Sequence, residues 1–286
     1  MNIKRVACGL CAAMMLAAVA TGCGSSTSSA AASSESAAAS SASGLNGTVA
    51  TGGSTSMEKV MSAPQEAYAE KEPDVTVTYD PTGSGAGITG ATDKTLDIGL
   101  SSRKLKDGET GVTATTIALD GIAIIVNNAN PVQDLTIDQI AKIATGEVTN
   151  WKDVGGEDAP IVLIGREAGS GTRDGFESIV GVADKCQYAQ ELTSTGAVIT
   201  GVAANNGAIG YASLSALKNT VKAVTVEGVA CTEETVLDGT YKIQRPFNFV
   251  TNDSVTPSNA VQSFIDFATS AEAADLIRAA GAVPMA

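Results

Sequence analysis

The middle of the chain carries the turn Arg-Glu-Ala-Gly-Ser-Gly-Thr-Arg (residues 166–173), which sets the topology of the sequence around it. An apolar run, residues 161–164, precedes this turn and reads as a buried β-strand, and a helical pattern follows it. Two more turns rich in Gly, Ser and Thr, residues 52–56 and 83–87, also lie between a predicted strand and a predicted helix. Strands that alternate with helices predict βαβ units and an α/β fold with mostly parallel sheets flanked by helices.

The three turns share a chemistry that suits a small oxyanion. At a strand-to-helix turn, free backbone N–H groups and the positive end of the helix dipole point at one place. Hydroxyl groups at the same turns add donors, and Arg166 adds a planar fork of charged ones. A fourth turn, residues 193–196, offers further Thr and Ser donors behind them. We therefore predict that several helix N-termini converge on one anion.

The remaining pattern supplies strands and helices around these turns. Thr136 is a predicted N-cap, and Pro64 should kink or split the first helix. Further segments with the pattern of strands are residues 47–50, 75–79, 97–100, 121–126, 208–211 and 248–250. Segments with helical periodicity are residues 56–71, 135–145 and 261–268. The strand–helix alternation thus extends over most of the chain.

The N-terminal segment reads as an export signal. Two basic residues precede an apolar run, residues 6–20, that is too short for a typical spanning helix. Small residues before Cys23 resemble a lipobox, in which the cysteine is lipidated after cleavage; an ordinary signal peptide cleaved nearby is the alternative. We predict a lipoprotein signal over residues 1–22 and, over residues 23–44, the lipidated Cys23 with a flexible tether rich in Ser and Ala.

Charge and length constrain the partners. The chain has 286 residues and a net charge of −13, which disfavours binding to nucleic acid or to an anionic membrane surface. No later run is long and apolar enough to span a bilayer, so we expect the lipid anchor to be the only membrane contact. About 240 residues follow the tether, enough for two lobes of ordinary size.

Histidine and cysteine usage disfavours several chemistries. The chain contains no His, which removes Ser-His and Cys-His nucleophile pairs and the commonest zinc ligand, so we predict no catalytic residues and no metal site. Cys186 and Cys231 are the cysteines beyond the predicted anchor. In an exported protein they form either one disulfide or two buried thiols, and the sequence leaves both open.

With these turns located, the chain resembles the phosphate-binding proteins of bacterial ABC phosphate importers, in the short lipoprotein form of Gram-positive bacteria. The resemblance rests on segments in family order across nearly the whole domain: Gly-Gly-Ser-Thr-Ser (52–56), Thr-Gly-Ser-Gly-Ala-Gly-Ile (82–88), Asp-Ile-Gly-Leu-Ser-Ser-Arg (97–103), Gly-Glu-Val-Thr-Asn-Trp-Lys-Asp (146–153), Arg-Glu-Ala-Gly-Ser-Gly-Thr-Arg (166–173), Gly-Ala-Ile-Gly-Tyr (207–211) and Arg-Pro-Phe-Asn (245–248). It implies a two-lobed periplasmic-binding-protein fold (type II) with the ligand in the cleft. The implied lobes are residues 45–120 with 247–286, and residues 121–246.

The same resemblance implies which residues bind the anion. Thr55 would donate its hydroxyl and Ser56 its backbone N–H, and Arg166 would close from the other lobe. The implied set is Thr55, Ser56, Ser84, Ser102, Arg166, Ser170, Gly171 and Thr172, with Ser54 and Arg103 as further candidates.

Two positions depart from the family pattern. Ser102 stands where well-studied relatives carry an acid that accepts the proton of hydrogen phosphate and repels sulfate, whereas a serine both donates and accepts. Ala168 stands where relatives often carry an acid that steadies the arginine, and Glu167 is expected to serve instead. The ligand is therefore phosphate or another tetrahedral oxyanion, such as sulfate or molybdate.

The resemblance implies a receptor that is not an enzyme. It would capture inorganic phosphate and deliver it to ABC permease subunits with a cytoplasmic ATPase. We expect a monomer without cofactors, lipid-anchored on the extracellular face of the cell membrane. The rival hypothesis is an enzyme acting on phosphoryl groups, but no turn has the P-loop spacing that ends in Gly-Lys-Ser/Thr. A surface sensor or adhesin on the same fold is a third hypothesis.

Overall fold

The structure is a computed structural model that describes residues 44–285. The predicted signal segment 1–22, the predicted anchor Cys23 and, apart from Gly44, the predicted tether lie outside the described residues, as does Ala286. The helices formed by residues 44–285 are all too short or too polar to cross a membrane.

The described residues form twelve strands and eight α-helices. The strands are β1 (Gly47–Gly53), β2 (Val75–Asp80), β3 (Ile98–Ser101), β4 (Val112–Asn127), β5 (Asp134–Leu135), β6 (Val162–Arg166), β7 (Gln190–Leu192), β8 (Ala208–Ser213), β9 (Val221–Ala223), β10 (Thr225–Val226), β11 (Gln244–Asn252) and β12 (Val283–Pro284). The α-helices are α1 (Glu58–Lys71), α2 (Ser84–Thr92), α3 (Ile137–Ala144), α4 (Gly171–Val180), α5 (Thr195–Ala204), α6 (Glu233–Leu237), α7 (Asn259–Ala268) and α8 (Ala271–Ala279). Short 3-10 helices lie at Thr55–Met57, Trp151–Val154 and Leu214–Ala216.

The main sheet has the strand order β2-β1-β3-β11-β4-β8-β6-β7. β1 is parallel to β2 and β3, and β6 is parallel to β7 and β8. The central strands β11 and β4 are antiparallel to each other and to their neighbours, and β9 and β12 add further antiparallel pairs with β4. The α/β class is confirmed. The main sheet is mixed, however, and not mostly parallel, because the strands that connect the two parallel groups run in the opposite direction. A second, two-stranded sheet of β5 and β10 is parallel.

Strand β4 runs through both halves of the sheet. Its pairs with β11 extend from Val112 to Gly121, and its pairs with β8 extend from Ile122 to Val126. The sequence predicted only residues 121–126, which lie within the continuously buried part, residues 120–127. The first part was missed because exposed and half-buried positions interrupt its apolar pattern.

Two hydrophobic clusters lie on either side of this junction. One contains side chains from residues 49–118 and 247–282, including Phe249 and Phe264. The other contains side chains from residues 122–243, including Trp151, together with Val283. Because burial of apolar surface is the dominant favourable contribution to folding, each half of the sheet is stabilised by its own core.

Two local predictions concern helices α1 and α3. Helix α1 continues through Pro64 and is not split, because the face with Val60, Pro64 and Tyr68 is buried and its packing outweighs the lost hydrogen bond. Thr136 caps α3 as predicted: its Oγ1 accepts a hydrogen bond from Gln139 N at 3.1 Å within a capping box.

Cys186 and Cys231 are both free thiols. The structure therefore contains the two-thiol alternative and not the disulfide. Burial raises the pKa of Cys186 to about 11 and that of Cys231 to about 12. Both thiols are consequently protonated and poorly reactive at neutral pH.

Candidate functional site

The first predicted turn places three hydroxyl residues side by side. β1 ends at Gly53, whose φ is +134° and where a Cβ would lie 2.2 Å from the carbonyl oxygen of Leu100, so glycine is required. The chain then enters the short 3-10 helix, and Ser54, Thr55 and Ser56 are all buried. The turn therefore directs its hydroxyls into the interior.

The second turn places Ser84 against the segment that follows β3. Ser84 is the first residue of α2 and is fully buried. Its Oγ accepts a hydrogen bond from Ser102 N at 3.0 Å and lies 3.2 Å from Ser102 Oγ. Ser54 Oγ donates to the same Ser102 Oγ at 2.8 Å. Ser54, Ser84 and Ser102 form one group of hydroxyls, which we call the serine cluster.

The third turn brings the start of α4 to the serine cluster. Ser170 is the N-cap, and its side chain caps the helix. A Cβ on Gly171 would lie 2.3 Å from Ser84 Oγ and 2.6 Å from Ser102 Oγ, so this approach requires glycine. The backbone N–H groups of Gly171 and Thr172 are among the first of the helix, which have no intrahelical acceptor.

Hydrogen bonds join turns that are far apart in sequence. Ser56 Oγ lies 2.7 Å from Thr172 Oγ1, and Thr55 Oγ1 lies 3.1 Å from Thr195 Oγ1. Thr195, the first residue of α5, was expected behind the other donors, but it is in direct contact with them. The starts of the 3-10 helix, α2, α4 and α5 thus meet at one place.

Arg166 ends β6 and is buried, with each guanidinium nitrogen engaged. Nη1 donates to Thr55 Oγ1 at 2.8 Å, and Nε donates to the carbonyl oxygen of Leu192 at 3.0 Å. Nη2 donates to Glu167 Oε1 at 2.8 Å, which confirms that Glu167 steadies the arginine. The guanidinium is therefore held with one edge toward the hydroxyls of the first turn.

A second buried arginine, Arg245, reaches the serine cluster. It lies in β11 opposite Asp120 of β4, and its Nη2 and Nε donate to Asp120 Oδ2 at 2.9 and 3.1 Å. Its Nη1 donates to Ser102 Oγ at 3.1 Å. Burial raises the pKa of Asp120 and lowers the pKa of Arg245, and the attraction between the two charges opposes both shifts. The pair as a whole carries no net charge.

Arg103, a further candidate from the sequence, does not reach the hydroxyls. Its Nη2 and Nη1 donate to Glu109 at 2.6 and 2.7 Å. Its Nε lies 2.8 Å from Asp174 Oδ2 of α4, and Lys106 pairs with the same carboxylate oxygen at 2.9 Å. Arg103 therefore connects the segment after β3 to α4 at the edge of the site.

Asp120 and Arg245 were not predicted as site residues from the sequence. Asp120 is a lone acid beside the apolar run 121–126, a place where a charge requires a partner. Arg245 opens the Arg-Pro-Phe-Asn segment, which carried only the resemblance. Those were the available signals, and neither indicates which element the side chain contacts.

Two surface cavities flank the site. One has a volume of about 450 Å³ and includes Thr55 and Thr195 in its lining. The other has a volume of about 340 Å³ and includes Asp174 and Arg245.

Within residues 44–285, no group of three Asp, Glu, Cys or His side chains is placed to hold a metal ion. Hydroxyl, N–H and guanidinium donors dominate, and such donors stabilise a buried anion.

The fold and this group of donors define a two-lobed α/β binding protein. A family model described as a PBP superfamily domain matches residues 27–272. A phosphate-binding protein PstS from Borreliella burgdorferi is 31% identical over 247 residues, which cover 82% of this chain and 88% of the relative. The chain belongs to the PBP superfamily and, within it, to the family of the phosphate-binding PstS proteins.

Solved structures show the same similarity. A protein from Clostridium perfringens, described as a phosphate ABC transporter substrate-binding protein with bound phosphate, is 42% identical with a TM-score of 0.79, covering 84% of this chain and all of that one. An ABC-type phosphate transport receptor from Vibrio cholerae is 35% identical with a TM-score of 0.70, covering 82% of this chain and 99% of that one. These relatives are described as binding proteins or receptors, not as enzymes.

Proposed function

We propose that this protein captures inorganic phosphate and delivers it to an ABC importer. The observation that carries the proposal is the meeting of four helix starts at one place, where the buried guanidinium of Arg166 donates to Thr55 Oγ1 of the first of them. Helix starts and a charged fork favour an oxyanion over any other ligand of this size. The similarity to a phosphate-bound protein from Clostridium perfringens supports phosphate as that oxyanion.

Phosphate would be held by donors from every turn. The binding residues are Thr55, Ser56, Ser84, Ser102, Arg166, Ser170, Gly171 and Thr172, with Ser54 and Thr195 beside them. Ser170 contributes by capping α4 and so orienting its free N–H groups. The bound anion replaces the hydroxyl–hydroxyl bonds across the site, such as the bond between Ser56 and Thr172. Burying a doubly charged ion is favourable only when its oxygens are fully hydrogen-bonded, and these donors supply that bonding.

The ligand would be enclosed between two lobes, residues 45–120 with 247–286 and residues 121–246. Two separate hydrophobic clusters support this division, since their members divide near residues 118–122 and 243–247. Val283 is the exception, because it packs with the second cluster. Closure of the lobes retains the anion and creates the surface that the permease recognises.

The receptor would work as a monomer at the outer face of the cell membrane, held there by lipidated Cys23 and the tether of residues 23–44. A tether rich in Ser and Ala lets the folded part reach the permease, whose cytoplasmic ATPase drives import. The protein would carry out no reaction, because binding and release of phosphate suffice for this task.

Sulfate is a second candidate ligand, favoured by one observation. Ser102 occupies the position at which relatives are expected to carry a carboxylate, and it contacts Arg245, Ser54 and Ser84. No negative charge is therefore placed at this position to repel a fully ionised anion.

Isothermal titration of the full chain in detergent, stripped of anion by partial unfolding and refolding, tests the proposal. We expect tight one-to-one binding of phosphate and no release of phosphate from phosphate esters. Absence of phosphate binding would contradict the proposed function, and hydrolysis of an ester would support the enzyme hypothesis instead.

A further inference from the structure

The hydrogen bonds around Ser102 fix what its hydroxyl can do. A hydroxyl has one proton to donate and two lone pairs that accept. Arg245 Nη1 donates to Ser102 Oγ at 3.1 Å, and Ser54 Oγ donates to it at 2.8 Å. Both lone pairs are therefore occupied, and the hydroxyl of Ser102 is left as a donor. Ser102 therefore offers no free proton acceptor to a ligand.

The hydrogen bonds of Ser102 in turn determine that Ser84 acts as a donor. Ser84 Oγ accepts from Ser102 N at 3.0 Å and lies 3.2 Å from Ser102 Oγ, whose proton it receives. Its two lone pairs are then occupied as well, so the proton of Ser84 is free to bind an anion. The serine cluster consequently presents donors to a ligand.

Arg166 makes the Thr55 hydroxyl a donor in the same way. Its Oγ1 accepts from Arg166 Nη1 at 2.8 Å and from Thr195 N at 3.3 Å. The proton of Thr55 is therefore directed at Thr195 Oγ1 or at a ligand. Each of the two buried arginines thus converts one hydroxyl of the site into a donor.

The titratable groups near the serine cluster and Thr55 are each engaged in hydrogen bonds. Asp120 is fully buried, takes Arg245 on Oδ2 and accepts from Ser213 Oγ on Oδ1 at 2.7 Å. Tyr79, whose OH donates to Ser54 O at 2.7 Å, has a pKa raised by burial and stays neutral. Glu167 is bonded to Nη2 of Arg166, while Thr55 is bonded to Nη1.

We propose that Arg245 makes the site selective for dianionic tetrahedral oxyanions by filling a lone pair of Ser102 and so removing the proton acceptor. This inference rests on the proposed function. Three groups of donors face the ligand: the serine cluster, Arg166 with Thr55, and the start of α4 with Thr172. Hydrogen phosphate has three unprotonated oxygens to match them, whereas dihydrogen phosphate has two. Sulfate has four and is not rejected.

At pH values below the second pKa of phosphate, binding then requires dihydrogen phosphate to lose one proton to the solvent. The apparent affinity for phosphate should rise roughly tenfold per pH unit below that pKa and level off above it. Sulfate has no proton to lose in this range, so its affinity should not follow that rise.

Titration calorimetry of the full chain tests this between about pH 5.5 and 8.5, in two buffers of different ionisation enthalpy that count protons. We expect release of about one proton per phosphate at the acid end, and sulfate binding within roughly tenfold of phosphate at the alkaline end. Phosphate binding without proton release, or without sulfate binding, would overturn the inference and leave the proposed function intact. Failure of both anions to bind would overturn both.

The variant Arg245→Lys tests whether the pH dependence of phosphate affinity is due to Arg245. Lysine keeps a positive charge beside Asp120 but lacks the planar fork that reaches Ser102. We expect a shallower pH dependence of phosphate affinity in this variant. The control is Arg278→Lys, at an exposed ion pair with Asp275, which should keep the wild-type slope. A wild-type slope in folded Arg245→Lys would overturn the role of Arg245. If thermal unfolding shows that this variant does not fold, Ser54→Ala, which frees the other lone pair of Ser102, must give the shallower slope.

Discussion

Ser56 Oγ lies 2.7 Å from Thr172 Oγ1, although the two residues are 116 positions apart in the chain. Ser56 belongs to the short helix after β1, and Thr172 belongs to the first turn of α4. Their contact brings helix starts from the two halves of the sheet together, which is the arrangement that encloses a small anion. The site therefore exists only while the two halves are in contact.

Replacement of Arg166 by Ala should weaken phosphate binding by about 2 to 5 kcal/mol, which is roughly thirty- to several-thousand-fold. The substitution removes the charged donor and leaves Thr55 and Glu167 without their partner. Titration calorimetry measures the change. Arg278→Ala, at an exposed arginine paired with Asp275, is the control and should bind as wild type. Equal affinity in both variants would exclude Arg166 from the binding site.

Replacement of Ser102 by Asp should increase the preference for phosphate over sulfate by roughly tenfold or more. A carboxylate beside Arg245 stays ionised, accepts the proton of hydrogen phosphate and repels sulfate. The ratio of the two dissociation constants is the quantity to measure. Ser102→Asn is the matched control, since it has nearly the same shape without the charge. The interpretation fails if the two variants show the same ratio.

Replacement of Gly171 by Ala should prevent the close approach of α4 to the serine cluster. The added Cβ would lie 2.3 Å from Ser84 Oγ, and relief of such overpacking costs about 1 to 3 kcal/mol. We expect a roughly five- to hundredfold loss of phosphate affinity in titration calorimetry. Gly196→Ala, early in α5 where an added Cβ meets nothing within 4 Å, should bind within about twofold of wild type. Full affinity of Gly171→Ala would show that the ligand is bound without this contact.

The Arg103–Glu109 pair should contribute to acid sensitivity. The hydrogen bond from Arg103 holds the pKa of Glu109 below its ordinary value of 4.5. The folded state therefore binds this proton less readily than the unfolded state, so the contribution is present above that ordinary value and is lost as the pH falls through the lowered pKa. Glu109→Gln should show a smaller drop in melting temperature between neutral and acid pH than wild type. Thermal unfolding across this range measures it, and parallel curves for the two proteins would contradict the prediction.

Some elements could be predicted because their signals are local. The cap at Thr136 and the three turns of Gly, Ser and Thr depend on residues within one helical turn of each other. Pro64 does not split α1, although proline disrupts an isolated helix, because α1 is held by its buried face. Much of the length of β4 was missed because partly exposed positions give no continuous apolar signal.

The sequence by itself determined which residues can donate to an anion and that they begin helices, since turn chemistry and helix caps are properties of neighbouring residues. Only the tertiary structure decided which donors meet. Arg103, next to Ser102 in sequence, turns toward Glu109 and Asp174, whereas Arg245, 143 positions away from Ser102, reaches its hydroxyl. The reason is the antiparallel register of β11 between β3 and β4, which sets Arg245 opposite Asp120. Strand register depends on long-range pairing, and no local pattern encodes it.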